Sequence, residues 1–301
     1  MILGGSVPGA GAGPTLLSPP AATLGESPCW DARGGRLLWV DIPAGRVHYL
    51  VTDTDLYGWY DVGRPVSAVV PRAGGGYGLA VREGFAVLEP DGAIRIVASV
   101  PDERPGNRMN DGACDRAGRF FAGTKAEDDT PGAGALYRLD PPDTNRPGEP
   151  PRLTRVFAGV TNSNGIAWSP DERLLYYVDT GTGRIDTCAY DPTDGTVCDR
   201  RPFAEIPAEA GLPDGLTVDV DGGVWVALWE GAALRRYAPD GRLDRTLPVP
   251  ARRVTNCAFG GPDLDVLYVT TAATDDREPL GGRLFAFRPG VRGLPAHPYR
   301  G

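Results

Sequence analysis

This 301-residue chain contains only two histidines, His48 and His297, and so lacks a side chain on which much hydrolytic chemistry depends. A Ser-His-Asp or Cys-His catalytic arrangement would need one of them, and a zinc site built from His and Cys would need a cluster. Neither histidine stands at a start of the sequence repeat described below, so we predict that both are solvated or locally hydrogen-bonded surface residues. No Gly-x-Gly-x-x-Gly fingerprint and no Gly-Lys-Ser/Thr loop is present, which argues against a nucleotide site.

Cysteine is also scarce, and its five copies form no Cys-x-x-Cys pair. An odd number without metal-ligand spacing predicts free thiols that pack as small hydrophobes in a reducing cytoplasm. A disulfide across a hairpin between Cys188 and Cys198 is the alternative. The cysteines are Cys29, Cys114, Cys188, Cys198 and Cys257.

Basic stripes and long apolar runs are absent as well. The net charge is -8, which argues against nucleic acid as a partner. No apolar run approaches the roughly 20 residues that span a bilayer, so we expect no membrane association. Residues 1–22 contain neither Lys nor Arg, and Gly and Pro interrupt their apolar stretch. We therefore predict a flexible tail over 1–22 rather than a secretory signal, and a cytoplasmic location.

What the chain does contain is a segment repeated six times, with a small polar or acidic residue followed by two short apolar runs. The copies start at intervals of 41, 43, 54, 50 and 42 residues. Such a period, with several short strands in each copy, is typical of propeller blades. We predict an all-β fold, a six-bladed β-propeller that occupies 23–301 as one domain. The copies begin at Glu26, Ser67, Asn110, Asn164, Asp214 and Asn256.

Equivalent positions of a propeller surround one axis, so these starting residues should ring a central channel. Glu26, Asn164 and Asp214 would bring two carboxylates and an amide carbonyl to it. Hard divalent ions such as Ca²⁺ and Mg²⁺ prefer these oxygen ligands. Asn and Asp also begin turns by bonding their own backbone, which is the alternative for each residue alone. The recurrence in one register favours a metal site in the channel.

The chain resembles the senescence-marker-protein/gluconolactonase/luciferin-regenerating-enzyme family, and within it the regucalcin-like lactonases. The resemblance runs from about Leu24 to Gly301, and the order and spacing of its short motifs make it specific. The motifs are LGESPCWD at 24–31, WVDIPA at 39–44, RMNDG at 108–112, GRFFAGT at 118–124, SNGIAWS at 163–169, LPDGL at 212–216, TNCAFGG at 255–261 and GGRLF at 281–285.

The resemblance implies a six-bladed propeller with one divalent metal ion, for which Ca²⁺, Zn²⁺, Mg²⁺ and Mn²⁺ are candidates. The family's metal ligands fall on Glu26, Asn164 and Asp214, in agreement with the choice made from ligand chemistry.

The family's sugar-binding arginine and asparagine fall on Arg108 and Asn110. A surface ion pair is the alternative role for Arg108. An acidic residue of the family that contacts substrate aligns with Asp128, with Glu127 as the alternative register. Lys125 stands where an apolar residue is frequent, which predicts an altered pocket mouth.

These residues together predict a metal-dependent hydrolase of carboxylic esters, with sugar lactones as substrates and gluconolactone as the simplest. Asp214 is the candidate general base, and Arg108, Asn110 and Asp128 would orient the sugar hydroxyls. We expect a monomer or a weak homo-oligomer. The alternatives are another lactonase or an organophosphate-type esterase, a calcium-binding regulatory protein without turnover, and a propeller used as an interaction platform.

Overall fold

The structure, a computed structural model, describes residues 13–100, 104–146, 148–273 and 278–301. Its strands form six sheets of four strands each, and every paired strand within a sheet is antiparallel. The described residues contain no α-helix, only two short 3-10 turns at Thr180–Thr182 and Ala208–Ala210. The prediction of an all-β, six-bladed propeller is confirmed.

In five of the six blades, the order of the strands from the channel outward is their order in the chain. The strand bounds are β1 (Thr15–Leu16); β2 (Gly25–Asp31), β3 (Arg36–Asp41), β4 (Arg46–Val51) and β5 (Leu56–Asp61) in the first blade; β6 (Val66–Pro71), β7 (Tyr77–Val81), β8 (Gly84–Leu88) and β9 (Ile94–Ser99) in the second; β10 (Asn107–Cys114), β11 (Phe120–Ala126), β12 (Gly134–Leu139) and β13 (Leu153–Val160) in the third; β14 (Ser163–Trp168), β15 (Leu174–Asp179), β16 (Arg184–Asp191) and β17 (Thr196–Glu205) in the fourth; β18 (Leu212–Val218), β19 (Val224–Trp229), β20 (Ala233–Tyr237) and β21 (Leu243–Pro248) in the fifth; β22 (Val254–Gly260), β23 (Val266–Thr271) and β24 (Phe285–Phe287) in the sixth.

The first strand of the chain completes the last blade, because β1 pairs with the outer strand β24 in the order β1-β24-β23-β22. This corrects the flexible tail predicted over 1–22: residues 13–22 belong to the propeller, and Leu17 and Ala22 are buried. Residues 1–12 lie outside the described residues. A two-residue strand between glycines and prolines has no detectable alternation, so the sequence pattern gave no signal for it.

The six inner strands, β2, β6, β10, β14, β18 and β22, carry the residues that begin the repeats. In each, the register with the next strand shifts at or beside that residue, which is the signature of a β-bulge. A bulge re-aims a side chain that a regular strand would turn into a blade interface. The bulges therefore explain how polar residues on apolar strands come to face the axis.

Apolar side chains fill the space between neighbouring blades. Leu38 and Val40 of the first blade, for example, pack in one buried cluster with Leu79 and Val81 of the second. In three repeats the residue five positions after the start is an aspartate, Asp31, Asp115 or Asp219, which accepts a hydrogen bond from the backbone of the following turn. Asp219 accepts hydrogen bonds from the backbone N–H of Gly223 at 2.8 Å and from the indole of Trp225 at 2.8 Å. The repeat thus encodes both the inner strand and the turn that ends it.

Two sequence expectations about side-chain burial are wrong. His48 is not at the surface: it is buried, stacks on Trp39 and shares a 2.9 Å hydrogen bond with the Tyr57 hydroxyl. Burial lowers its pKa to about 4. Cys198 is exposed, although all five cysteines were expected in the core. The five are free, as predicted, and the bridge between Cys188 and Cys198 does not form.

The C-terminal segment crosses one end of the channel. Tyr299 is buried, pairs with Arg72 in an isolated bridge and contacts the ring of Phe120. A cavity of about 170 Å³ beneath this segment is lined by the later residues of the inner strands and by residues 294–297. The other end of the channel carries the candidate site. No helix in the described part of the chain is long and apolar enough to cross a membrane.

Candidate metal and substrate site

The end of the channel where the inner strands begin contains a cavity of about 550 Å³. Five of the six residues proposed from the sequence line it: Glu26, Arg108, Asn110, Asn164 and Asp214. They come from four different blades, so the propeller brings together residues up to 188 positions apart in the chain. The roles assigned to them remain predictions, but the cavity provides the shared site that those roles need.

The amide of Asn164 has a fixed orientation. The Thr180 hydroxyl donates its single proton to the carbonyl of Pro213 at 2.8 Å, so it can only accept from Asn164 Nδ2, which lies at 2.7 Å. The opposite atom, Oδ1, accepts a hydrogen bond from Asn110 Nδ2 at 2.9 Å. The network directs the oxygen of Asn164, the atom able to ligate a cation, toward the side of the channel that carries Asn110.

Glu26 is buried next to a second acid that the sequence reasoning did not select, Asp111. Asn256 Nδ2 donates to both, at 3.2 Å to Glu26 Oε2 and 3.1 Å to Asp111 Oδ2. Burial and the charge of Asp111 raise the pKa of Glu26 from 4.5 to about 8, and burial raises the pKa of Asp111 from 3.8 to about 6. The two carboxyls are thus costly to ionise together without a compensating positive charge.

Asp214 is buried beside the two acids of the site, Glu26 and Asp111. Burial, with the charges of Glu26 and Asp111, raises its pKa well above 3.8, and Lys125 only partly opposes this. Its Oδ1 is buried and has no hydrogen-bond partner among the described residues. A buried carboxylate oxygen without a partner is rare unless it binds an ion, water or a ligand.

The donor set fits a hard divalent cation. Within the described ranges, no group of three or more His, Cys, Asp or Glu side chains is arranged to hold a metal ion. A site here would therefore depend on the amide oxygen of Asn164 together with the two carboxylates of Glu26 and Asp214. Such all-oxygen sets suit Ca²⁺, Mg²⁺ or Mn²⁺ and retain water ligands.

Two glycines allow the inner strands of neighbouring blades to lie close to each other. A Cβ at Gly165 would lie 2.9 Å from the carbonyl oxygen of Asp214, and one at Gly215 would lie 1.9 Å from Cγ of Asn256. Real side chains do not tolerate such distances. The recurring Asn-Gly and Asp-Gly pairs are therefore required by packing between blades, in addition to any preference for turns.

Arg108 projects into the same cavity. Its Nη1 donates to Asn110 Oδ1 at 2.7 Å and to the carbonyl of Met109 at 2.9 Å, and Asn110 also donates to the Ser163 carbonyl at 2.7 Å. No ion pair involving Arg108 occurs in the part of the chain that the structure describes, and the side chain is largely buried. The alternative of a surface ion pair is therefore wrong, and the guanidinium retains donors for a ligand.

Asp128 lies apart from this group. Its carboxylate forms a two-pronged ion pair with Arg104, at 2.9 and 2.8 Å, and is largely exposed. Glu127, the alternative, pairs with Arg82 at 3.0 Å. Neither lines the cavity, whereas the next residue, Asp129, does. The substrate role of Asp128 stays a prediction, and contact with a ligand would require its pair with Arg104 to open.

The sequence reasoning missed Thr180, Asp111 and Asn162 as parts of the site. Asn162 lines the cavity and its Oδ1 accepts from Asn110 Nδ2 at 3.1 Å. Asp111 directly follows the repeat start Asn110, and Asn162 lies two positions before the repeat start Asn164. Their closeness in sequence to repeat starts could have identified both residues. Thr180 had no such signal, because only the fold brings it to Asn164.

Comparison with known proteins gives one consistent result. Residues 24–273 match the family described as SMP-30/Gluconolactonase/LRE-like region. The chain is 36% identical over 291 residues to regucalcin of Bos taurus, which covers 92% of this chain and 95% of that protein. A solved calcium-binding protein, regucalcin, from Agrobacterium tumefaciens has a TM-score of 0.88 at 28% identity, covering 96% of this chain and 97% of the other. A luciferin-regenerating enzyme has a TM-score of 0.84 at 29% identity, covering 93% and 96%. The resemblance drawn from the motifs is confirmed.

Proposed function

Because this chain belongs to the SMP-30/Gluconolactonase/LRE-like family, we propose that it is a lactone hydrolase that depends on a divalent metal and converts a sugar lactone to the aldonic acid. One observation carries this proposal: Asp214 lines a cavity together with Glu26 and Asn164, and its buried Oδ1 has no hydrogen-bond partner among the described residues. The same cavity holds hydrogen-bonding groups suited to a polyol. Metal ligands and sugar-binding groups in one pocket favour hydrolysis over binding alone.

Glu26, Asn164 and Asp214 would hold the cation. Two carboxylates balance a dication, and the raised pKa values of Glu26 and Asp214 reflect how poorly the buried pair is compensated by the rest of the protein. When bound, a divalent cation supplies a Lewis acid for the lactone carbonyl and lowers the pKa of a bound water.

Asp214 is the candidate general base for the hydrolytic step. Water attacks the lactone carbonyl, the ring C–O bond breaks, and the leaving oxygen takes up a proton to become the hydroxyl of the acid. The proton that leaves the water moves to Asp214, whose burial and acidic neighbours increase its affinity for a proton. A positioned base of this kind contributes on the order of 10²–10⁴-fold to the rate.

Arg108 and Asn110 would position the substrate. The Arg108 donors that are not used by Asn110 and Met109 can bind sugar hydroxyls or the carbonyl. Asn110 is itself held by Ser163 and Asn162, so its orientation is set before substrate arrives. Pre-oriented groups place the reacting carbonyl, which is the main source of proximity effects in catalysis. Asp128 is retained as a further candidate contact.

Two other functions share these residues. An organophosphate-type esterase could use the same oxygen ligands, although the hydrogen-bonding wall suits a polyol better. A calcium-binding protein without turnover is favoured by one observation, because the similar protein from Agrobacterium tumefaciens is described as calcium-binding. Both can be separated from a lactonase by direct assay.

The test is a pH-stat assay of purified, metal-stripped protein resupplied in turn with Ca²⁺, Mg²⁺, Mn²⁺ and Zn²⁺. The panel contains glucono-δ-lactone, other aldonolactones, an aryl ester and a phosphotriester. We expect hydrolysis of at least one sugar lactone well above the spontaneous rate. Turnover of the phosphotriester alone would support the esterase. Tight calcium binding without turnover of any panel member would support the binding protein and contradict the proposal.

A further inference from the structure

Two cations face the cavity from neighbouring strands of the third blade. Arg108 on β10 and Lys125 on β11 are direct cross-strand partners, and both line the cavity. Like charges placed directly opposite each other in an antiparallel pair are destabilising. Nearby carboxylates offset this repulsion, Asp129 at Lys125 and Glu26, Glu127 and Asp129 at Arg108, and an anion bound between the two cations would take over that role.

Among the described residues only Lys125 forms an ion pair, although the charges of Glu26, Glu127 and Asp129 also act on Arg108. Lys125 Nζ lies 2.6 Å from Asp129 Oδ1, while the described hydrogen bonds of Arg108 go to a side-chain amide and a backbone carbonyl. The Lys125 side chain is 15% exposed, but that of Asp129 is 72% exposed. The ammonium is thus fixed in the cavity wall, and its partner is in solvent. An ion pair with so exposed a carboxylate contributes little to stability, so another anion can displace Asp129 at low cost.

The charges around the cavity leave room for a negative ligand. Three acidic residues line the cavity, Glu26, Asp129 and Asp214, together with two basic residues, Arg108 and Lys125. If Glu26 and Asp214 balance a divalent cation, Asp129 and the buried Asp111 beside Glu26 balance Arg108 and Lys125, and displacement of the exposed Asp129 leaves one net positive charge. A neutral sugar lactone offers only hydroxyls and a carbonyl to these groups. A lactone with an anionic substituent would neutralise them.

We propose that Arg108 and Lys125 form a clamp for an anionic substituent, and that the preferred substrates are sugar lactones carrying a carboxylate or a phosphate monoester away from the ring carbonyl. This inference rests on the proposed lactonase function. The planar guanidinium of Arg108 can bind two oxygens of such a group, and the ammonium of Lys125 adds a point charge from the next strand. Asp129 then acts as the group that an incoming substrate replaces at Lys125.

The first test compares kcat/KM for glucono-δ-lactone, glucarolactone and the phosphate monoester of gluconolactone. Wild-type protein should prefer one or both anionic lactones by at least about tenfold, and their comparison identifies carboxylate or phosphate as the better ligand. Lys125→Met should reduce the ratio of anionic to neutral kcat/KM by on the order of 10- to 100-fold, while Lys125→Arg should retain most of it. A wild-type preference for the neutral lactone, or an unchanged ratio in Lys125→Met, would overturn the clamp.

The matched control is Arg95→Met on the outer strand β9, which removes a positive charge outside the lining of the cavity and leaves its partner Glu89 paired with Arg72. Its ratio should equal that of wild type. Asp129→Asn should change the ratio of anionic to neutral kcat/KM in the opposite direction to Lys125→Met, because it removes the carboxylate that competes for Lys125. Asn tolerates the positive φ of 54° at this position, so the backbone should be preserved. The anionic preference should rise, and a fall would count against displacement of Asp129.

A binding measurement separates this inference from the proposed function. Calorimetry of the metal-loaded protein should show tighter binding of glucarate or phosphogluconate than of gluconate, with the difference lost in Lys125→Met and weakened by salt. Metal content is measured on every sample. Selective anion binding without hydrolysis of any lactone would keep the clamp and reject the lactonase. Metal-dependent hydrolysis without any anionic preference would keep the lactonase and reject the clamp.

Discussion

Asn110 Nδ2 donates a 2.9 Å hydrogen bond to Asn164 Oδ1, and this bond joins the proposed substrate-binding and metal-binding halves of the site. Asn110 belongs to the third blade and Asn164 to the fourth, so the contact also crosses a blade interface. The same oxygen is the atom that Asn164 would offer to a cation. A change on either asparagine should therefore affect both metal affinity and substrate positioning, whereas changes elsewhere can separate them.

Thr180→Val should weaken divalent-metal binding by about 10- to 100-fold, as is usual when a group that orients a ligand is lost. Valine keeps the shape of threonine but cannot accept the hydrogen bond from Asn164 Nδ2. Calorimetric titration of metal-stripped protein measures the effect. Thr182→Val is the control, because the Thr182 hydroxyl donates to the Asp179 carbonyl and does not contact Asn164. Equal affinities in the two variants would show that Asn164 needs no such support.

The free energy of unfolding of chelator-treated protein should fall as the pH rises from about 6.5 to about 8, above the range in which the lowered pKa of the buried His48 makes stability rise with pH. The folded-state pKa of Glu26 is raised from 4.5 to about 8 and that of Asp111 from 3.8 to about 6, so the folded protein keeps protons that the unfolded chain has released. Stability then decreases with pH, by about 1.4 kcal/mol for each unit of pKa difference that is traversed.

Denaturant unfolding across this pH range, with and without added Ca²⁺, checks the prediction. Calcium should flatten the decrease, since it compensates the carboxylates when they ionise. Glu26→Gln should show a shallower decrease than wild type in chelator. Constant or rising stability between pH 6.5 and pH 8 in chelator would mean that Glu26 is not buried beside Asp111 as described.

Arg108→Ala should lower lactone turnover by on the order of a hundredfold, because a misplaced substrate loses the benefit of proximity. Metal content should be unchanged, since Arg108 offers no ligand atom. Steady-state kinetics with elemental analysis of the same samples provide the measurement. Loss of the metal, with native kinetics after reloading, would instead assign Arg108 a structural role.

Much of the fold could be predicted because the repeat carries its own geometry. Glu26, Asn164 and Asp214 start copies of one pattern, and the structure places them on equivalent inner strands around one cavity. Apolar alternation specifies the blades, and the residue at the bulge specifies what faces the channel. Four of the six repeat starts line the cavity, whereas Ser67 donates to the Ala80 carbonyl and Asn256 donates to Glu26 and Asp111, so equivalence in sequence predicts the ring but not the orientation of every side chain in it.

The remaining features depend on contacts that no local pattern encodes. Thr180 joins the site because the fourth and fifth blades place Pro213 and Asn164 on either side of its hydroxyl. Leu17 is buried only because the N-terminal strand closes the last blade. In the acidic run after β11, the carboxylate that lines the cavity belongs to Asp129 and not to Glu127 or Asp128. Each of these outcomes is set by packing between distant segments.

Asp214→Asn and Glu26→Gln should differ at saturating metal, although both should weaken metal binding. Each variant keeps a ligand oxygen and loses one negative charge, but only Asp214 is assigned a proton-transfer role. Glu26→Gln should recover substantial kcat, and Asp214→Asn should stay slower by roughly 10²–10⁴-fold. The measurement is kcat against metal concentration, with occupancy determined directly. Equal recovery at full occupancy would make Asp214 a ligand only.

The most direct test of the account is the rate of sugar-lactone hydrolysis against the molar ratio of divalent metal to protein, starting from protein shown by elemental analysis to be metal-free. Metal-free protein should be inactive, and the rate should rise with occupancy and saturate at one ion per chain. Chelation of the loaded protein should abolish the activity, and a second addition of metal should restore it. Full activity in metal-free protein would contradict the account.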